Sequence, residues 1–288
     1  MTIQEFKRYF KTELSEIYSE SESAFLFSVF VQKIVGFDRH LQRRFSHQEL
    51  LKEDEKQLQE VVSELKTQKP YQHILGETEF FGMKFFVDEN VLIPRPETEE
   101  LLEMAIYRIR KHFHTRNETA GKQLKILDIG TGSGIIPLVL KKHFPEAEVH
   151  SIDFSEKALQ TAVRNARHHK LDIQFIHHDY LAFELTERYD IIISNPPYIG
   201  IEEEHEIADS VKEFEPKMAL FSPTSDALIF YRKIAEDSQK HLNDEGLLFL
   251  EINQKLGAET LNLYTHLFTK VELMKDLSEN DRFIAGIK

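Results

Sequence analysis

The feature that most constrains this chain is an alternation that begins at Leu124 and runs to its end. The short apolar runs LKILDI, EVHSID, IQFIHH, YDIIIS and LLFLEI are separated by segments of helical periodicity, among them IIPLVLKKHF, SEKALQTAVRNARHH and SDALIFYRKIAEDSQKHL. Apolar runs spaced by amphipathic helices are the pattern of a parallel sheet, because parallel neighbours need a crossover and bury both faces. VELMKDL and RFIAGIK follow one another too closely for a helical crossover, so they predict antiparallel neighbours. The expected fold is α/β: a mostly parallel seven-stranded sheet with helices on both faces.

Upstream the periodicity is helical. Phe6, Phe10, Leu14 and Ile17 predict one helix, and Phe27, Phe30, Val31, Ile34 and Val35 a second, closed by Gly36, which suits the left-handed position after a helix. Ser46 followed by Glu49 has the form of a capping box and predicts a third helix; Leu58, Val61, Val62 and Leu65 predict a fourth before Pro70. Residues 1–69 read as a small helical domain whose phenylalanines form its core. In 70–96 two aromatic runs are parted by Gly82-Met83, the spacing of a two-residue turn, so a β-hairpin links this domain to the next. Pro94 and Pro96 fix an extended segment, and Leu101, Leu102, Ala105, Ile106 and Ile109 form a helix face that ends in the polar stretch His114 to Gln123. Residues 97–288 make up the α/β domain.

Composition removes several classes of function. The 288 residues suit about two domains. The absence of cysteine excludes disulfides, thiolate-bound zinc and thiol catalysis. No apolar run approaches the roughly 18 residues that span a bilayer, and MTIQEFKRYFKTELSE is charged and amphipathic, so neither membrane insertion nor secretion is expected and a cytoplasmic location is. With 36 Lys+Arg against 49 Asp+Glu the net charge is −13, which should repel a phosphate backbone.

The candidate chemistry concentrates where strands end. Asp128-Ile129-Gly130-Thr131-Gly132-Ser133-Gly134 closes the first strand of the alternation. Its glycines let the backbone turn tightly and approach a ligand, and the helix amides that follow attract polar or negative groups. Ile135 stands where the dinucleotide fingerprint requires a third glycine, which removes support for a nicotinamide cofactor. Asp153 closes the second strand, 19 residues beyond Gly134, where a carboxylate can accept from ribose hydroxyls; the alternative is a helix cap, a task Ser155 can also perform. Asn195-Pro196-Pro197-Tyr198 follow Ile191-Ile192-Ile193-Ser194 at the same edge. The prolines restrict their neighbours, so the Asn195 side chain and the Pro196 carbonyl can be held as two acceptors. Two acceptors suit the two hydrogens of an NH2 group and leave its nitrogen facing an electrophile. Tyr198 can lay its ring on a planar amide or base. The histidines His168, His169, His177, His178 and His205 do not read as metal ligands: strand neighbours such as His177 and His178 point to opposite faces, and His168 and His169 suit a helix C-terminus.

Together DIGTGSG, Asp153 and NPPY resemble class I S-adenosylmethionine-dependent methyltransferases that act on a planar NH2 group. Leu92-Ile93-Pro94-Arg95-Pro96-Glu97-Thr98-Glu99, Pro70-Tyr71-Gln72-His73-Ile74-Leu75-Gly76 and the EFFG hairpin resemble, more narrowly, the peptide chain release factor N(5)-glutamine methyltransferases of the PrmC/HemK type. The resemblance runs from the helical domain to Asp281-Arg282. It implies a Rossmann-like fold and transfer of a methyl group from S-adenosyl-L-methionine to the Gln of the Gly-Gly-Gln motif of class I release factors, leaving S-adenosyl-L-homocysteine and using no metal. It further implies that Gly130, Thr131, Gly132, Ser133 and Gly134 wrap the cofactor's methionine part, that Asp153 holds its ribose and Asp179 and Tyr180 flank its adenine, and that Asp128 and Asn195 also bind the cofactor. Asn195, Pro196, Pro197 and Tyr198 would hold the glutamine, and residues 1–69 would recognise the release factor. Arg95 has two readings, as an anchor for substrate or as a partner of Glu97 and Glu99 where the chain enters a helix. The family commonly has Trp where Tyr180 stands, and Gly where Asn253 and Glu279 stand; the latter two positions are expected to lie away from the motifs. An adenine-N(6) methyltransferase acting on nucleic acid shares NPPY but is disfavoured by the charge, and a catalytically idle cofactor-binding adaptor is disfavoured by the intact motifs. The sequence assigns no oligomeric state.

Overall fold

A computed structural model describes residues 1–114 and 123–288. The chain opens with α1 (Ile3–Leu14), α2 (Glu20–Val35), α3 (Arg39–Arg44), α4 (Lys52–Lys66) and α5 (Tyr71–Leu75). Capping boxes start the first two: the Thr2 hydroxyl accepts from the Glu5 amide while Glu5 accepts from the Thr2 amide, and Ser19 and Glu22 repeat the exchange. Gly36 ends α2 with φ of 79°. Ile17 lies beyond α1 and is exposed. The box expected at Ser46 and Glu49 starts no helix. That segment pairs with the start of the chain instead, Gln4 N–H donating to the Ser46 carbonyl and Thr2 bridging Glu49, and the next helix begins only at Lys52. Phe6, Phe10, Phe27 and Phe30 fill the core with Leu14, Leu58, Val62 and Leu65, each burial worth roughly 1.5–3 kcal/mol.

The hairpin is β1 (Glu77–Phe80) and β2 (Met83–Phe86). Its turn residues are Phe81 and Gly82, with φ of 52° and 64°, so the turn sits one residue earlier than the Gly82-Met83 pair suggested. Two left-handed residues make it a type I′ turn, which matches the twist of the flanking strands. The Phe81 amide is held by Glu99, at 2.5 Å.

After the hairpin come α6 (Pro96–His114), β3 (Lys125–Ile129), α7 (Ile135–His143), β4 (Glu148–Asp153), α8 (Glu156–His169), β5 (Gln174–His177), β6 (Tyr189–Ser194), α9 (Asp209–Phe214), α10 (Lys217–Leu220), α11 (Ile229–His241), β7 (Leu242–Glu251), α12 (Gly257–Asn262), β8 (Lys270–Lys275) and β9 (Asp281–Ile287). In the polar stretch His114 to Gln123, residues 115–122 lie outside the described residues. The chain divides into two compact units, Met1–Thr78 with Asp209–Phe214, and Glu79–Ala208 with Glu215–Lys288, so the boundary falls within β1. No helix among the described residues is long and apolar enough to cross a membrane.

The seven-stranded sheet has the order β5-β4-β3-β6-β7-β9-β8. It is parallel from β5 to β7, and β9 runs antiparallel to both its neighbours, as the alternation predicts. Strand side chains alternate between two cores. Ile126, Ile191, Ile193 and Phe249 pack with Leu101 and Leu102 of α6 and Leu138 of α7 on one face; Leu127, Ile129, Ile192 and Leu248 pack with Tyr231 and Ile234 of α11 on the other. Chain order reverses between β3 and β6, and the register sets Ile129 beside Ile152 on one side and Ser194 on the other. The residues just past these strands therefore meet at one crevice, where open α/β sheets bind ligands.

Candidate active site

The loop after β3 turns back on itself. The Gly130 and Thr131 amides both donate to the Ile152 carbonyl, at 2.9 and 3.2 Å. Gly130 has φ of 90°, which favours glycine. At Gly134, φ of 84° coincides with close packing: a Cβ there would stand 3.1 Å from Ala162 Cβ, so glycine lets α7 lie against α8. The buried Asn165 donates to the Ser133 and Phe86 carbonyls and accepts from the Phe86 amide, fastening the loop to β2.

Asp128 lies beneath this loop. Ser151 donates to its carboxylate at 2.6 Å, so Thr131, 2.6 Å from Ser151 Oγ, donates in turn to Ser151. The other Asp128 oxygen has no hydrogen-bond partner among the described residues. Complete burial pushes this carboxyl well above its usual range, and the nearby Asp153 adds to the rise.

Asp153 accepts from the Gly132 amide with one oxygen and from the Ser155 amide with the other, each at 2.8 Å. Ser155 itself caps α8 through Ala158. Burial raises the Asp153 pKa, and the amide bonds oppose the rise. A cavity of about 460 Å³ opens above, lined by Gly130, Thr131, Gly132, Ser133, Asp153, Asp179, Tyr180, Asn195, Pro196, Pro197, Arg95 and Thr98. Asp128, Gly134 and Tyr198 do not line it. Tyr180 is a buried part of the wall, its hydroxyl donating to Asp237 at 2.7 Å. Phe154, unnoticed in the sequence, also lines the cavity and is 60% exposed, offering a broad aromatic face beside Asp153. Its signal was a large apolar residue between the end of a strand and a helix cap.

The NPPY segment divides. Asn195, Pro196 and Pro197 face the cavity, whereas Tyr198 packs into the core and its hydroxyl donates to Glu251 Oε1 at 3.4 Å. Asn195 Nδ2 donates to Thr98 Oγ1 at 3.1 Å, and Thr98 donates to Glu251 Oε2 at 2.7 Å. Glu251 is 1% exposed, and burial pushes its pKa up to about 7 against the bond from Thr98 and the Arg282 charge. Asn253 does not lie away from the motifs: its Nδ2 donates to the Tyr198 carbonyl at 3.2 Å and to Glu203 at 2.9 Å, tying the loop after β7 to the loop after β6. A shorter residue could not reach across. Arg95 meets neither Glu97 nor Glu99 but Glu215, at 2.6 Å; the buried Glu215 also accepts from the Ile93 amide at 3.0 Å.

Of the histidines singled out in the sequence, four bond to backbone, His169 to the Lys84 carbonyl, His177 to that of Phe154, His178 to that of Asp179 and His205 to that of Glu202, and His168 sits edge-on to the Phe86 ring. Among the described residues, the ligand-type side chains that do converge are Glu148, His150 and Glu187, and the Lys125 ammonium lies against both carboxylates.

The Methyltransferase small domain family matches residues 111–214, and the PrmC N-terminal domain family matches residues 5–76. The solved catalytic domain of hMettl16, in complex with the MAT2A 3'UTR hairpin 6, shares the fold with a TM-score of 0.54 at 16% identity, over 82% of this chain and 81% of that one. Fold and site define a class I methyltransferase that uses S-adenosylmethionine. The chain is 44% identical over 291 residues to the release factor glutamine methyltransferase of Flavobacterium psychrophilum, spanning 99% of this chain and 98% of that protein. It is 42% identical over 240 residues to that of Streptococcus pneumoniae, 82% of each. This chain belongs to the release factor glutamine methyltransferase family.

Proposed function

We propose that this protein methylates the side-chain amide nitrogen of the Gln in the Gly-Gly-Gln motif of class I peptide chain release factors, with S-adenosyl-L-methionine as donor and S-adenosyl-L-homocysteine as product. The observation that carries this reading is the commitment of Asn195 Nδ2 to Thr98, which leaves Asn195 Oδ1 as the atom available to a cavity ligand. An acceptor there, beside the Pro196 carbonyl, fits the NH2 of an amide.

The residues present fit the cofactor. The Gly130–Gly132 loop offers backbone, Asp153 a carboxylate for hydroxyls, and Phe154 and Tyr180 aromatic surface for a planar base. When bound, S-adenosylmethionine supplies a methyl group already activated by its sulfonium. Asn195 Oδ1 and the Pro196 carbonyl would then take the two amide protons and aim the nitrogen, and Pro197 would help exclude water. Methylation would make the amide nitrogen strongly acidic, so the surplus proton would need no dedicated side-chain base and would leave to bulk solvent when the product is released. The reaction asks for no metal. We assign recognition of the release factor, away from its glutamine, to residues 1–69; the match of residues 5–76 to the PrmC N-terminal domain supports this. Such a substrate places the enzyme in the cytoplasm. The net charge of −13 favours a protein substrate over a nucleic-acid base.

Mass spectrometry of a Gly-Gly-Gln peptide and of intact release factor, incubated with enzyme and S-adenosylmethionine, should show one added methyl mapped to the glutamine. Its absence from both overturns the reading. Asn195→Ala should lower turnover on the order of 100-fold, the scale of losing one oriented polar group at a reacting centre, while S-adenosylhomocysteine still binds.

A further inference from the structure

We infer that Thr98 and Glu251 form a polarity relay that fixes which end of the Asn195 amide faces the substrate, and so select glutamine over glutamate. This deepens the glutamine-directed reading above and rests on it. An asparagine amide can turn over with almost no change of shape, presenting an oxygen in one orientation and an NH2 in the other. Only the first receives the NH2 of glutamine. The second would welcome the carboxylate of glutamate.

The relay removes this ambiguity through proton counting. Thr98 Oγ1 carries one proton and stands 2.7 Å from Glu251 Oε2 and 3.1 Å from Asn195 Nδ2. A carboxyl oxygen in that place accepts, so the Thr98 proton goes to Glu251. Thr98 then has only a lone pair for Asn195, whose NH2 must turn toward it. The Asn195 oxygen is thereby left to the cavity.

In its carboxylate form Glu251 can only accept, which sets the direction of the relay. Glu251 meets Tyr198 through its other oxygen, Oε1, at 3.4 Å. A proton taken up there, with the Tyr198 hydroxyl turned to accept it, still leaves Oε2 as an acceptor for Thr98, and burial pushes the carboxyl's pKa up to about 7. Arg282 opposes the rise, while Glu97 adds to it. Burial prevents water from reversing the direction, since Thr98 is 2% and Glu251 1% exposed. The sheet register explains the placement. Ser194 of β6 pairs with Leu250 of β7, so Asn195 and Glu251 are each the next residue at the same edge, and Thr98 reaches them from the first turn of α6.

The test compares binding of a Gly-Gly-Gln peptide and the matching Gly-Gly-Glu peptide to the full chain saturated with S-adenosylhomocysteine. The native chain should favour glutamine. Thr98→Val, which frees Asn195 to turn, should lower that preference tenfold or more, the scale on which sites built around hydrogen bonds discriminate. Thr98→Ser should restore it. Glu251→Leu should lower it as well, and adding Glu251→Leu to Thr98→Val should lower it no further, because Glu251 acts through Thr98. Glu251→Gln, whose carbonyl can face Thr98 and whose NH2 can face the Tyr198 oxygen, should keep more of the preference than Leu. A fall in preference with unchanged S-adenosylhomocysteine affinity supports positioning; a structural role alone would weaken both peptides equally. If the Glu251 variants do not fold, the Val and Ser pair at Thr98 decides. Preserved preference in Thr98→Val, in an enzyme that methylates the Gln peptide, overturns the relay alone. Failure of the native chain both to methylate and to prefer the Gln peptide overturns the proposed function, and the relay with it.

Discussion

Closing the inner strand β7 with a carboxyl costs the fold stability, and Glu251 shows when. Below its ordinary pKa of 4.5 the group is protonated whether the chain is folded or not. Between 4.5 and about 7 the unfolded chain releases the proton while the folded one retains it, so unfolding gains as pH rises, and the effect levels off above about 7. Stability of the native chain relative to Glu251→Gln should therefore fall across that window by up to about 3 kcal/mol, read by urea denaturation at a series of pH values. A flat difference would mean that the carboxyl is not held above its ordinary pKa. The same residue shows where sequence reading stops. The glycine loop, Asp153 and Asn195 were legible because each ends an apolar run, and that local signal suffices to place a residue at the sheet edge. Thr98, Glu251 and Asn253 act through hydrogen bonds spanning 97, 153 and 55 positions of the chain. No local pattern encodes such pairings. Tyr198 was drawn to the cavity by adjacency to Asn195, whereas it packs inward with its hydroxyl on Glu251.

Among elements, the turn from β8 to β9 is held by Asp276, which accepts from the Ser278 and Asn280 amides, each at 2.9 Å, and pairs with Arg282 at 3.1 Å. Glu279 adopts φ of 65° in this turn, a left-handed conformation that disfavours a side chain by roughly 1–2 kcal/mol. Glu279→Gly relieves this, and after the greater freedom of glycine in the unfolded chain is subtracted it should stabilise the protein by about 0.5 kcal/mol, measured as a rise in denaturation midpoint. A fall would show that the Glu279 side chain supports the turn. Left-handed residues other than glycine are what periodicity does not reveal. They explain why the strands of the first hairpin were legible but its turn was displaced: Phe81 occupies a position where glycine or asparagine would have announced itself. The capping box at Ser46 and Glu49 failed for a related reason, since the same local pattern was recruited for pairing with the chain start.

For the whole molecule, the charge of −13 makes basic protein surfaces favourable partners and screens with salt. Raising ionic strength should increase the KM for intact release factor and leave that for a short Gly-Gly-Gln peptide nearly unchanged. Equal responses would show that surface charge plays no part in recognition. The α/β architecture was legible at this scale because a buried parallel sheet writes itself as separate apolar runs. The membership of Asp209–Phe214 in the first compact unit was not, because this six-residue helix has no buried residue of its own to mark it. The chain thus crosses between units after Thr78, Ala208 and Phe214. During synthesis, which releases the chain from its N-terminus, the helical core is complete once Leu75 has emerged, and α9, which buries no residue, follows only after β3, β4, β5 and β6. The first unit can therefore close its core before the second is begun, and gains α9 only when much of the second has already been made.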